Sequence, residues 1–218
     1  MENVNNHVGI AGRIYSDFEF SHEVYGEGFY RFEAEVFRLS DASDILPVTV
    51  SERIIDMASV AIGSWVYIAG QIRSYNNYVE EDRRNKLVLT VFARDIELLP
   101  EPMPSEDGEG FEHPDINPND VYLNGFICKP PVYRTTPFGR EIADILLAVN
   151  RSYNKSDYIP CIAWGRNARY AGKLAVGSNI RIWGRMQSRP YQKRYESGET
   201  VEKTAYEVSI SKIEANPS

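Results

Sequence analysis

The chain has 218 residues, with 24 Lys+Arg against 31 Asp+Glu and a formal net charge of −7. That length suits one or two domains of roughly 100–200 residues. No apolar run approaches the ~20 residues of a bilayer-spanning helix, which excludes that class, and the acidic balance taken whole argues against a nucleic-acid binder. The balance is uneven, however: residues 1–118 hold 9 basic and 22 acidic side chains, net −13, while residues 119–218 hold 15 and 9, net +6. Two halves of opposite sign predict two units with different work. The N-terminus shows no basic region followed by an apolar stretch, so a cytoplasmic location is expected.

In the first half, β-branched and aromatic residues are frequent and helical periodicity is scarce, which predicts strands. The segments that matter are Val8–Gly12, Leu46–Val48, Val60–Ser74 and Asp95–Glu97, because each returns later in the chain. Gly26-Glu-Gly28 reads as a hairpin-like turn; without a third glycine or a following helix it is no dinucleotide fingerprint. Tyr75 and Tyr78 are followed at once by Glu80, Glu81 and Asp82, and basic residues nearby are few (Arg73, Arg83, Arg84).

Pro100–Pro118 holds five prolines and six carboxylates in 19 residues. Missing backbone donors and like-charge repulsion predict an extended, solvated linker, with domains over 1–99 and 119–214. Its charge, with Phe111 inside it, suits it to shield a basic groove.

In the second half the expected strands are Val121–Ile127, Ile142–Val149, Tyr158–Trp164, Asn179–Gln187 and Thr204–Ile213. The last alternates strictly, with Tyr206, Val208 and Ile210 on one face and Glu207, Ser209 and Ser211 on the other. A short helix over Asn167–Leu174 is expected from Ala168, Ala171 and Leu174. Five strands with a helix between the third and fourth is the layout of an OB-fold, a small Greek-key barrel. Val8–Gly12 matches Val121–Gly125, Leu46–Val48 matches Ile159–Cys161, Val60–Ser74 matches Leu174–Ser188, and Asp95–Glu97 matches Lys212–Glu214. The offset stays between 113 and 117. The fold class expected is therefore all-β: two tandem OB-folds, each a five-stranded Greek-key barrel with at most one short helix.

The second copy carries a constellation. Along Tyr158–Trp164, Ile159, Cys161 and Ala163 share an apolar face suited to a barrel interior. Tyr158, Ile162 and Trp164 share the other, its two aromatics about 20 Å apart. Arg151, Tyr153 and Lys155 occupy the preceding turn. Arg181, Arg185 and Arg189 follow with common parity, then Tyr191, Lys193 and Arg194. Arg134 and Arg140 bracket the turn at Thr135–Gly139. Aromatic faces stack bases for roughly 1–3 kcal/mol each, and interleaved cations take phosphates. Trp183, Tyr170 and Tyr206 read as core. For Tyr153, Tyr158, Trp164 and Tyr191, core packing and base stacking stand level on the residues alone.

Asn119–Gly125, Leu147–Arg151, Tyr158–Gly165 and Gly177–Ser188 resemble the bacterial single-stranded DNA-binding protein family, in order and at family spacing. The resemblance implies an OB-fold that binds single-stranded DNA without catalysis, in replication, recombination or repair. It implies stacking by Tyr153, Tyr158, Trp164 and Tyr191. Phosphate contacts are expected at Arg151, Lys155, Arg166, Arg185, Arg189, Lys193 and Arg194. Family members with two OB-folds per chain form dimers with four, and a homo-oligomer of that kind is expected. The family's disordered, acidic-tipped tail is not expected past Ala215–Ser218; replication or repair proteins remain expected partners.

The first copy departs from this pattern. Ser51 stands at the position of Trp164 and Ile45 at that of Tyr158, so direct DNA binding is not expected there. The alternative function is a protein–protein scaffold or assembly subunit with weak DNA binding. RNA is a further ligand for the same stacking chemistry. Two cysteines (Cys128, Cys161) and three histidines (His7, His22, His113) form no ligand pattern, so no metal, cofactor or catalytic site is expected.

Overall fold

Residues 5–38, 42–79, 84–101, 103–104, 111–112, 119–195 and 198–216 are described in a computed structural model. Strands β1 (Asn6–Ile14), β2 (Glu19–Val24), β3 (Glu27–Phe37), β4 (Ser43–Ser51), β5 (Trp65–Val79) and β6 (Arg84–Leu98) form the first copy. After β7 (Met103–Pro104) and β8 (Phe111–Glu112), the second copy repeats the order. Its elements are β9 (Asn119–Ile127), β10 (Val132–Thr135), β11 (Glu141–Arg151), β12 (Lys155–Trp164), α1 (Gly165–Ala171), β13 (Asn179–Arg194) and β14 (Thr200–Ala215).

Among the described residues each copy thus has the five strands expected of the barrel and one more. The addition, β2 or β10, is a short partner hydrogen-bonded to the outer side of β3 or β11. β10 escaped the sequence pattern because all four of its residues are exposed, so no face alternates. The β2–β3 hairpin turns on Tyr25-Gly26, both at positive φ (51° and 77°), as a two-residue hairpin of primed type requires.

Each barrel closes twice. Ile127 pairs with Leu147 and Phe126 with Ala148 between β9 and β11, and Cys161 pairs with Val208 in a parallel contact of β12 and β14. In the first copy Arg13 pairs with Glu35 and Val48 with Val91. The inward sets are buried as alternation demands: Leu46, Val48 and Val50 on β4, Ile159, Cys161 and Ala163 on β12. Ile162, expected beside Trp164 on the outer face, is buried as well. The close approach at closure explains one repeated glycine. A Cβ on Gly12 would lie 2.1 Å from the Glu35 carbonyl oxygen, and one on Gly125 2.5 Å from that of Ala148. Gly12→Ala is expected to cost about 1–3 kcal/mol, read as a lower urea midpoint at unchanged m-value.

The alternation expected through Ile213 breaks at Ser211. Trp183 pairs with Lys212 but Gly184 with Ile210, so Ser211 is a bulge residue, and Arg94 is its counterpart in the first copy. A bulge shifts parity by one: Val208 and Ile210 face the core before it, and Ile213 packs against the core after it. Glu207, assigned to a polar outer face, is in fact buried, accepting a hydrogen bond from Gln187 at 2.9 Å. Helix α1 begins two residues earlier than expected and ends at Ala171; Gly172–Leu174 continue as a turn, so Leu174 packs on the core without being helical. No helix occupies the equivalent place among the described residues of the first copy.

Within Pro100–Pro118, Met103 pairs with Glu112 and Pro104 with Phe111, so the chain doubles back here and is not extended throughout. Residues 102, 105–110 and 113–118 of that segment lie outside the described residues, and the shielding role with them. So do Glu80, Glu81, Asp82 and Arg83.

The copies join through β1 and β9, which pair antiparallel and merge both barrels into one 12-stranded sheet. Val8 opposes Val121, its own counterpart, while Asn6 opposes Leu123 and Ile10 opposes Asn119. Such self-complementary pairing is the geometry of a two-fold dimer built into one chain. Two buried carboxylates lock it reciprocally. Asp44 accepts the Ser188 backbone N–H at 2.7 Å, and Asp157 accepts that of Ser74 at 2.8 Å. Each is held by its own copy's arginine as well: Arg38 forks onto Asp44 at 2.6 and 2.8 Å, and Arg151 stands 3.7 Å from Asp157.

Candidate nucleic-acid interface

The β11–β12 hairpin presents the first of the expected stacking residues. Arg151 faces Lys155 across a three-residue turn, where Tyr153 and Asn154 both adopt left-handed backbone (φ 63° and 54°). That conformation costs a side-chain-bearing residue roughly 1–2 kcal/mol. Tyr153 recovers nothing by packing, since it is 94% exposed. Strain of this kind concentrates at binding sites. On the same strand Tyr158 is 45% and Trp164 38% exposed. Trp164 ends β12 just before α1, and its indole Nε1–H donates to Ser209 Oγ at 3.1 Å, which orients the ring. Tyr191 is half-buried in a groove of about 540 Å³ between β13, β14 and β6, whose walls include Arg134, Asp144, Arg189 and Glu207.

Of the other aromatics, Tyr206 packs against the core as expected. Trp183 is half-buried, 5.3 Å from the Tyr122 ring with Lys212 above it at 4.5 Å. Tyr170, expected in the core, is 41% exposed, because α1 buries only Ala168 and Ala171.

The seven expected phosphate ligands divide by partner. Lys155, Arg166 and Arg194 are exposed and have no partner among the described residues. Lys193 lies over the Tyr195 ring at 4.6 Å. Arg151 and Arg185 are each the second arginine on a buried carboxylate, 3.7 Å from Asp157 and Asp44 respectively. Arg189 is paired with Glu207 at 3.2 Å. Asp44, Asp157 and Glu207 therefore set how much positive charge this face offers. Burial disfavours the Asp44 carboxylate, but hydrogen bonds from Arg38 and the Ser188 backbone outweigh it and hold the group below the usual carboxylate range. None of the three was singled out by sequence. The available signal was the repeated Arg-x₅-Asp spacing, Arg38 to Asp44 and Arg151 to Asp157, at the repeat offset.

In the first copy Ser51 is buried and bonded to Glu27, and Ile45 is half-buried, so no ring stands where Trp164 and Tyr158 do. Cys161 is fully buried and its thiol pKa is pushed up by desolvation. No cluster of three or more His, Cys, Asp or Glu side chains suited to a metal occurs among the described residues, and no helix among them is long and apolar enough to cross a membrane.

Two closed barrels with this strand order, each with one long strand (β5 or β13) bulged against its neighbour, define a tandem OB-fold protein. The family model described as the single-strand binding protein family matches residues 118–215. Single-stranded DNA-binding protein 1 of Staphylococcus aureus (strain COL) is 40% identical over 81 residues, 34% of this chain and 48% of that protein. Single-stranded DNA-binding protein B of Bacillus subtilis (strain 168) is 35% identical over 81 residues, 34% of this chain and 72% of that protein. The chain belongs to the single-strand binding protein family. It spans about half the length of the first curated relatives it matches. The crystal structure of wild-type single-stranded DNA binding protein from Thermus aquaticus superposes with a TM-score of 0.72 at 17% identity, over 98% of this chain and 93% of that one, a likeness of fold.

Proposed function

We propose that the chain binds single-stranded DNA, largely without regard to sequence and without catalysing a reaction, in replication, recombination or repair. The observation that carries this reading is the β11–β12 hairpin: Tyr153 at its turn and Tyr158 and Trp164 on β12 stand exposed, with the exposed cations Lys155 and Arg166 beside them. An oriented, partly exposed indole offers π-surface to a base. In this reading Tyr153, Tyr158, Trp164 and Tyr191 stack bases. Lys155, Arg166, Lys193 and Arg194 contact phosphates directly, while Arg151, Arg185 and Arg189 do so only as far as their carboxylates leave charge to spare. Residues 1–99 and 119–214 act as two domains. The protein works in the cytoplasm as a dimer with four OB-folds, and replication or repair proteins are its partners. The names of the relatives support the ligand; the exposed rings support the site.

Fluorescence titration with oligo-dT tests it. Trp164→Ala should lose about 1–3 kcal/mol of affinity with an unchanged melting temperature. A wild-type affinity for that variant removes Trp164 from the site. Failure of the wild-type protein to bind at low salt leaves the assembly-scaffold reading instead.

A further inference from the structure

The 12-stranded sheet ends in two open edges, one from each copy. Among the described strands, β2 pairs only with β3 and β10 only with β11. All four residues of β10 are exposed, and so are all of β2 except the half-buried Ser21. The Thr136 backbone N–H donates to the Arg140 carbonyl at 2.8 Å, so Thr136 and Arg140 are a bonded pair. Alternation along an antiparallel ladder then turns the N–H and C=O of Tyr133 and Thr135 away from β11. On β2 the two-residue turn makes Val24 and Glu27 the bonded pair, and the backbone groups of Glu23 turn outward. Apolar side chains lie along both edges: Phe20, Val24 and Tyr25 on one, Val132, Tyr133 and Phe138 on the other.

The two edges differ in charge. Asp17, Glu19 and Glu23 lie exposed along the β2 edge, and none makes an ion pair among the described residues. Around β10 stand Lys129 and Arg140, likewise exposed and without an ion pair among them, and Arg134, which Asp144 balances at 2.8 Å. An open edge is a template for another strand, and the charges along it decide which strand is refused. Two β2 edges set like carboxylates side by side, and two β10 edges set like cations. A β2 edge against a β10 edge is the combination of opposite sign. The order along the strands agrees as well. In an antiparallel pair Asp17 and Glu19, at the start of β2, lie toward Arg140 beyond the end of β10, and Glu23 lies toward Lys129 before its start.

We infer that β2 of one chain adds to β10 of the next, so that copies of this chain associate head to tail and the sheet continues from one molecule into another. The contact is heterologous, with a different edge at each end of the chain. Such association gives rings where the rotation closes and open filaments where it does not. Strands of six and four residues bury less than a standard interface, so the contact is weak between free chains. Chains bound beside one another on one DNA strand are held at high effective concentration, where a weak contact suffices. That use rests on the single-stranded-DNA reading; the contact itself does not.

The test is sedimentation velocity of the full chain without DNA, at low salt, where surface charges are least screened, and from micromolar to near-millimolar protein. The wild-type sedimentation coefficient should keep rising past that of two chains. Thr135→Pro removes an outward-facing N–H and no bond to β11, and should abolish the rise. Glu19→Lys/Glu23→Lys should do the same, and stands alone if the proline variant melts early. An equimolar mixture of Glu19→Lys/Glu23→Lys with Lys129→Glu/Arg140→Glu should restore the rise, because each reversed edge then meets its complement. A wild-type coefficient that levels off at one or two chains overturns the proposal. So does a rise that persists in a folded variant, or a mixture that associates no better than its parts. DNA enters none of these measurements, so the single-stranded-DNA reading stands or falls separately, on the oligo-dT titration.

Discussion

Asp157→Ala should lower the unfolding free energy by about 3–5 kcal/mol, the range for removing one member of a buried ion pair, and Asp44→Ala should do likewise. Each carboxylate is about 1% exposed. Its removal leaves the Ser74 or Ser188 backbone N–H unpaired at the seam between the copies, and two arginines facing each other across the vacated space. Urea unfolding measures the loss; a change under 1 kcal/mol would show the seam to be held by the β1–β9 ladder alone. Asp44 adds a pH signature. Its folded pKa lies below the unfolded value of about 3.9, so the native state binds fewer protons. Its contribution is complete above that value and is lost as pH falls through the folded pKa. Asp44→Asn should remove this part of the acid-side decline while leaving the neutral-pH stability already reduced.

These carboxylates mark the boundary of what the sequence made legible. The duplicated fold was readable because its signals are local: alternation on β12, and short segments of β1, β4, β5 and β6 that recur in order on β9, β12, β13 and β14. The exposed rings were readable because Tyr158 and Trp164 have the parity opposite to Ile159, Cys161 and Ala163. Asp44 and Asp157 were not, because the partners that justify their burial lie 144 and 83 positions away on the other copy. No periodicity carries a contact of that separation. The same holds for the Ser211 bulge, which depends on how β14 meets β13. Local charge escaped the sequence for a related reason: a half-chain sum does not show that Arg73 and Arg151 share the one carboxylate of Asp157 across the seam.

Salt dependence turns that distribution into a number. Lys155, Arg166 and Arg194 carry charge with no described partner, while Arg151 and Arg185 each share a carboxylate with a second arginine that already balances it. Arg189 is balanced by Glu207. The other five charges, or six with Lys193 over the Tyr195 ring, at about 0.7 each give a slope of log affinity against log salt of about −3.5 to −4 for a short oligo-dT, a loss of roughly a hundredfold to a few hundredfold between 50 and 200 mM. Residue by residue the expectation is sharper. Arg194→Ala should make the slope shallower by about 0.7. Arg189→Ala should leave it nearly unchanged, because a phosphate arriving there finds an ion pair and must first displace Glu207, itself bonded to Gln187 at 2.9 Å. Equal effects from the two variants would mean that Arg189 abandons Glu207 on binding. A flat response for the wild-type chain would remove phosphate contact from the account of this surface.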